Sequence, residues 1–85
     1  MDITFTIPDY DVNKGFESQW EYGFEIKIEQ KESYIQLTAN KEGLISLAKQ
    51  LLNLAQEDIP KGYHLHYDEY NSLENGSLDM VIQKS

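Results

Sequence analysis

Asn40-Lys41-Glu42-Gly43-Leu44-Ile45-Ser46-Leu47-Ala48-Lys49-Gln50-Leu51-Leu52-Asn53-Leu54-Ala55 decides how the rest of the chain is arranged. Leu44, Leu47, Ala48, Leu51, Leu54 and Ala55 recur at steps of three and four. That is one apolar stripe at helical period. Asn40 suits the N-cap, because its short side chain accepts a backbone N–H of the first turn. Glu42 sits near the positive end of the helix dipole. Ile59-Pro60 stops the helix and Lys61-Gly62 turns the chain. The spacing predicts a helix over about residues 41–57, with the leucine stripe as a ridge that a sheet must cover. A partner helix is the other use for such a stripe.

Downstream, Tyr63, Leu65 and Tyr67 alternate with His64 and His66, the period of a strand. Asn75-Gly76 is a strong turn dipeptide, because both residues tolerate positive φ. Leu78, Met80 and Ile82 then alternate with Asp79, Val81 and Gln83 as a closing strand. Upstream, Tyr34–Ala39 places Ile35, Leu37 and Ala39 on one face and Tyr34, Gln36 and Thr38 on the other. Trp20, Tyr22, Phe24, Ile26 and Ile28 alternate with Glu21, Glu25, Lys27 and Glu29, predicting a half-buried strand over residues 20–30 and a hairpin with the next one. Ile3, Phe5 and Ile7 predict a short first strand ended by Pro8. Residues 9–19 are a polar loop, long for so small a chain and so a secondary site candidate.

These elements predict a single α+β domain over residues 1–85. An antiparallel sheet of about five strands, in the order βββαββ, is covered on one face by one helix. Leu44, Leu47, Leu51 and Leu54 are expected to pack on Ile26, Ile28, Ile35, Leu37, Leu65 and Ile82.

Fifteen acidic residues against seven lysines give a net charge of −8, with no arginine and no cysteine. A chain of this sign lacks the basic groups that displace counterions from nucleic-acid phosphates. It is also repelled by anionic membranes. The acidity favours a basic protein partner, and it equally serves plain solubility. Without cysteine there is no disulfide, thiolate metal site or cysteine nucleophile. No signal-peptide pattern or apolar run of membrane-spanning length is visible, so a cytoplasmic location is expected.

The unusual polar chemistry is His64-x-His66-x-Asp68. On a strand these side chains share a face, alternate positions being about 6.5–7 Å apart. His and Asp together suit zinc, although a complete site needs a further ligand. The plainer alternative is two histidines hydrogen-bonded to carboxylates on neighbouring strands. No phosphate-binding glycine loop, nucleophile elbow, zinc-protease helix or dinucleotide fingerprint is present. The tyrosines are numerous, and Tyr residues are favoured interface anchors.

Asn40-x-x-Gly43-Leu44, Leu47-Ala48, Leu51-Leu52-x-Leu54-Ala55, Gly62-x-His64-x-His66-x-Asp68 and Gly76-Ser77 occur in an order that resembles the immunity protein 32 family of bacterial polymorphic toxin systems. The resemblance covers about Tyr34 to Lys84. It implies a cytoplasmic antidote that binds a cognate toxin domain, with no catalysis and no cofactor. The candidate partner-binding residues are His64, His66, Asp68 and Tyr34 on an outer sheet face, with Tyr67 as a further aromatic anchor. Two alternatives stand beside it. One is a small metal-binding protein or enzyme using the His64, His66 and Asp68 strand. The other is a self-associating domain, a weak homodimer through a sheet face or edge.

Overall fold

In the computed structural model, which describes residues 1–85, the alternating stretches form β1 (Ile26–Gln30) and β2 (Ile35–Ala39). They pair antiparallel, Ile26 opposite Ala39 and Ile28 opposite Leu37, and Lys31 N–H donates to the Tyr34 carbonyl to close the turn. The helix α1 (Lys41–Leu54) follows at once, then β3 (His64–Tyr67) and β4 (Met80–Gln83), which also pair antiparallel. The class is α+β with one helix, but the order is ββαββ. The strands form two sheets of two strands each instead of one sheet of five.

The reason lies in Glu74–Leu78. Glu74 N–H and Leu78 N–H donate to the carbonyls of Ile26 and Ile28, while Ile28 N–H donates to the Ser77 hydroxyl at 3.1 Å. This segment covers the second edge of β1 but turns at Asn75-Gly76, where Gly76 has φ +87°. A side-chain hydroxyl replaces a rung of the ladder, so the sheet is interrupted before β4 begins. The elements therefore lie side by side as β2, β1, the 74–83 run, then β3.

The first expected strand is absent. Residues 5–10 run along one flank of α1 in its own direction and residues 17–21 return antiparallel to it, held by side chains of the helix and of Gln56 just beyond it. Gln56 bonds Pro8 O and Tyr10 N–H, Asn53 Nδ2 donates to Glu17 O, and Ser46 Oγ accepts from Glu21 N–H. Lys49 adds an ion pair to Glu21 at 2.9 Å and lies over the Phe5 ring. Phe16 stacks on Tyr63, so the 9–19 loop folds back on the body of the protein. The strand expected over 20–30 starts only at Ile26, because Gly23 takes φ +79° in a turn closed by Phe24 N–H to Glu21 O.

Those side-chain bonds also rotate the helix from its expected setting. Its buried face is Gly43, Ser46, Leu47, Gln50, Asn53 and Leu54. Leu44, Leu51 and Leu52 remain 48–55% exposed. The core is Ile26, Ile28, Leu47, Tyr67 and Leu73, with Trp20, Phe24, Ala39, Leu65, Met80 and Ile82 against it. Leu54 and Ile59 are also buried. Ile35 and Leu37 share the face of Ile28 but are 60% and 38% exposed, because no part of the chain lies over them. The expected packing thus holds for Leu47 with Ile26 and Ile28 and partly for Leu65 and Ile82, while Leu54 is buried outside that cluster. It fails for Leu44, Leu51, Ile35 and Leu37. The helix also ends at Leu54, three residues early, and the turn closed by Ile59 N–H to Gln56 O delivers Ile59 into the interior.

Candidate functional site

β3 has its ladder on one side only, against β4, with His64 opposite Gln83 and His66 opposite Val81. Its alternation sends Leu65 and Tyr67 inward and leaves His64 and His66 exposed. The His66 Nε2–H donates to Asp79 Oδ2 at 3.1 Å, a pair that is more than half exposed and so contributes little to stability. His64 Nδ1 makes a long contact, 3.4 Å, to Gly62 O.

Asp68 does not extend this polar face. Its Oδ1 accepts from the N–H groups of Tyr70 and Asn71 at 2.9 and 3.0 Å and so organises the turn after β3. Asn71 completes that turn by accepting from Asp68 N–H and donating to His66 O. With Asp68 committed to backbone and His66 to Asp79, no three His, Cys, Asp or Glu side chains gather closely enough to hold a metal ion. The zinc alternative therefore has no ligand set here. Tyr34, 58% exposed, precedes β2 at the opposite edge of the strand array, so it does not join the histidines in one patch.

Tyr67 lies in the core, 3% exposed. Its hydroxyl donates to Gln50 Oε1 at 2.7 Å, and its ring meets Trp20 edge-on at 6.1 Å. It holds β3 against α1 and offers no ring surface to a partner. Burial pushes its phenol up to about 12, because a phenolate there loses its hydration. The folded state therefore keeps a proton that an unfolded tyrosine loses near pH 10. The resulting stability, about 2–3 kcal/mol, is complete below pH 10 and is lost as pH rises toward 12. Urea unfolding followed across that range should show the midpoint falling, and Tyr67→Phe should flatten the slope.

Between the open edge of β3 and residues 16–20 lies a cleft of about 310 Å³, lined by Phe16, Trp20, Gln50, His64, Tyr67 and Asn71 among others. The buried Gln50 Nε2 has no protein partner. A larger, open concavity of about 710 Å³ is bordered by Asp9, Asp11, Glu17 and Asp58 with Lys14. Sequence reasoning does not single out Gln50, Asn71 or Asp79. Gln50 and Asn71 are polar residues in ordinary settings, and only Asp79, on the outward side of the last strand, carries a signal as the cross-strand carboxylate a histidine would seek. No helix is long and apolar enough to cross a membrane.

No curated protein and no solved structure matches the chain. The family model described as Immunity protein 32 matches residues 34–85, which hold β2, α1, β3 and β4 and make up more than half of the sequence. On that match the chain belongs to the Immunity protein 32 family.

Proposed function

We propose that this protein neutralises a cognate polymorphic toxin domain by binding it directly in the bacterial cytoplasm, without catalysis or cofactor. Membership of the immunity family over residues 34–85 is the observation that carries this reading. The contact surface we assign is the outer side of β3, with His64 and His66 as exposed contacts and Asp68 and Tyr67 holding that strand in place. Tyr34 is a separate, outlying contact. The net charge of −8 suits a basic partner, whose association would slow as salt rises. Nucleic acid and membrane surfaces are not partners in this reading.

The test is co-expression with a candidate toxin domain encoded beside the gene, followed by affinity capture. The expected result is a stable complex and restored growth. Replacing His64 and His66 together with alanine should weaken binding at least tenfold while leaving the melting temperature within a few degrees. Undiminished affinity in a folded double variant removes the β3 surface from the interface. Absence of both capture and rescue argues against neutralisation of that toxin.

A further inference from the structure

We propose that two copies of this chain associate through the free edge of β2 and the uncovered flank of α1. They form a sheet ordered β1-β2-β2-β1 about a two-fold axis at Leu37. Three observations meet on this side of the molecule.

The first is the edge itself. β2 bonds to β1 alone, so its other row of N–H and C=O groups has no strand partner. Natural proteins guard such edges with charges, proline or a covering segment. Tyr34-Ile35-Gln36-Leu37-Thr38-Ala39 contains no charge, proline or glycine, and nothing covers it.

The second is the apolar surface beside the edge. Ile35 and Leu37 are 60% and 38% exposed on the face that should be inward. On α1 and its C-cap, Leu44, Ala48, Leu51 and Ala55 form an exposed stripe at steps of four, three and four, with Leu52 next to it. These are the spacings of a helix–helix seam. Residues 5–21 cover the other flank of α1, through Ser46, Lys49, Asn53 and Gln56, and lie on the β3 side. The leucine flank therefore faces the β2 side, where Gly43 approaches Ala39. Together these side chains expose on the order of 500 Å². That is within the roughly 300–600 Å² of the largest apolar patch on a typical monomer, patches that are often functional, and the backbone edge adds to it toward the roughly 800 Å² per partner of a stable interface.

The third is charge, and it selects a second copy over the toxin. A basic toxin is met by acids, and this run has none, in a chain of net charge −8. Antiparallel pairing about Leu37 sets Ile35 opposite Ala39, Gln36 opposite Thr38 and Leu37 opposite itself, so no like charges meet within the ladder. The interface is isologous, as a two-fold dimer requires. It leaves β3, at the other edge, free for the proposed toxin contact.

Sedimentation velocity from low micromolar to sub-millimolar protein tests this. The expected result is a mass rising from 9.9 kDa toward twice that value. Leu37→Lys sets two like charges face to face at the axis, and Leu51→Lys charges the helix flank. Each should weaken association at least tenfold with unchanged circular dichroism. Should Leu37→Lys misfold, Leu51→Lys alone decides between the outcomes, since its side chain already meets water. A wild-type chain that stays monomeric throughout, or a dimer that tolerates Leu51→Lys unchanged, overturns the proposal. Protection of β2 amides by a toxin in an otherwise monomeric protein also overturns it and assigns the edge to the toxin.

Discussion

Gly43→Ala is expected to lower stability by about 2 kcal/mol, although alanine is favoured over glycine in a helix interior by about 1 kcal/mol. Gly43 is not in a left-handed conformation, so its role is space. A Cβ built there would lie 2.5 Å from Glu25 O, 2.9 Å from Ile26 Cγ1 and 3.1 Å from Ala39 Cβ. Ile26 is completely buried, and the Glu25 carbonyl accepts from Asn40 N–H, so neither neighbour is a flexible tip that swings aside. The helix must lift from β1, which opens the core where Leu47 meets Ile26 and Ile28. Urea unfolding should show a lower midpoint at unchanged slope, with a melting temperature down by about 10 °C for a chain of this size. A variant as stable as the parent would show that α1 does not approach β1 this closely.

Asn40→Ala should cost about 2 kcal/mol or slightly more, at the upper end for an N-cap. The excess comes from a second use of the same side chain. Asn40 Oδ1 accepts from Gly43 N–H at 2.8 Å, the capping bond, and also from Glu25 N–H at 2.9 Å, while Nδ2 donates to Gly23 O at 2.9 Å. One amide thus ties the start of α1 to the turn that leads into β1. Asn40→Asp keeps both accepted bonds and loses only the one to Gly23, so it should lose less than half as much. Equal losses in the two variants would mean that the Gly23 bond carries the effect and the cap does not.

The two substitutions show how far local reading reaches. Asn40 is legible as a cap from its neighbours in sequence, but its bonds to Glu25 and Gly23 join residues 15 and 17 positions away. Gly43 reads as a mildly unfavourable helix residue until Ala39 and Ile26 are seen against it. Of the site residues, His64 and His66 stand outward as their alternation requires. Asp68, from the same alternation, is drawn into a turn that Asn71 completes, and Tyr67 is locked to Gln50. Both bonds depend on partners that periodicity does not mark.

By itself the sequence determined the α+β class, the helix and its cap, the β1–β2 hairpin, the turns at Gly62 and Gly76, and the family. The helix, cap, hairpin and turns rest on residues close together in the chain, where period, capping and φ preference act without knowledge of the rest, whereas the family rests on the order of motifs from Asn40 to Ser77. The tertiary structure alone decided which face of α1 is buried and how the strands divide. Of the five leucines of α1 only Leu47 and Leu54 are buried while Leu44, Leu51 and Leu52 stay exposed, so apolar character did not choose the face. Ser46, Asn53 and Gln56 chose it, because an irregular segment packed on a helix must find partners for its backbone N–H and C=O groups. The same requirement lets the Ser77 hydroxyl take over a ladder bond from β1 and break the sheet in two.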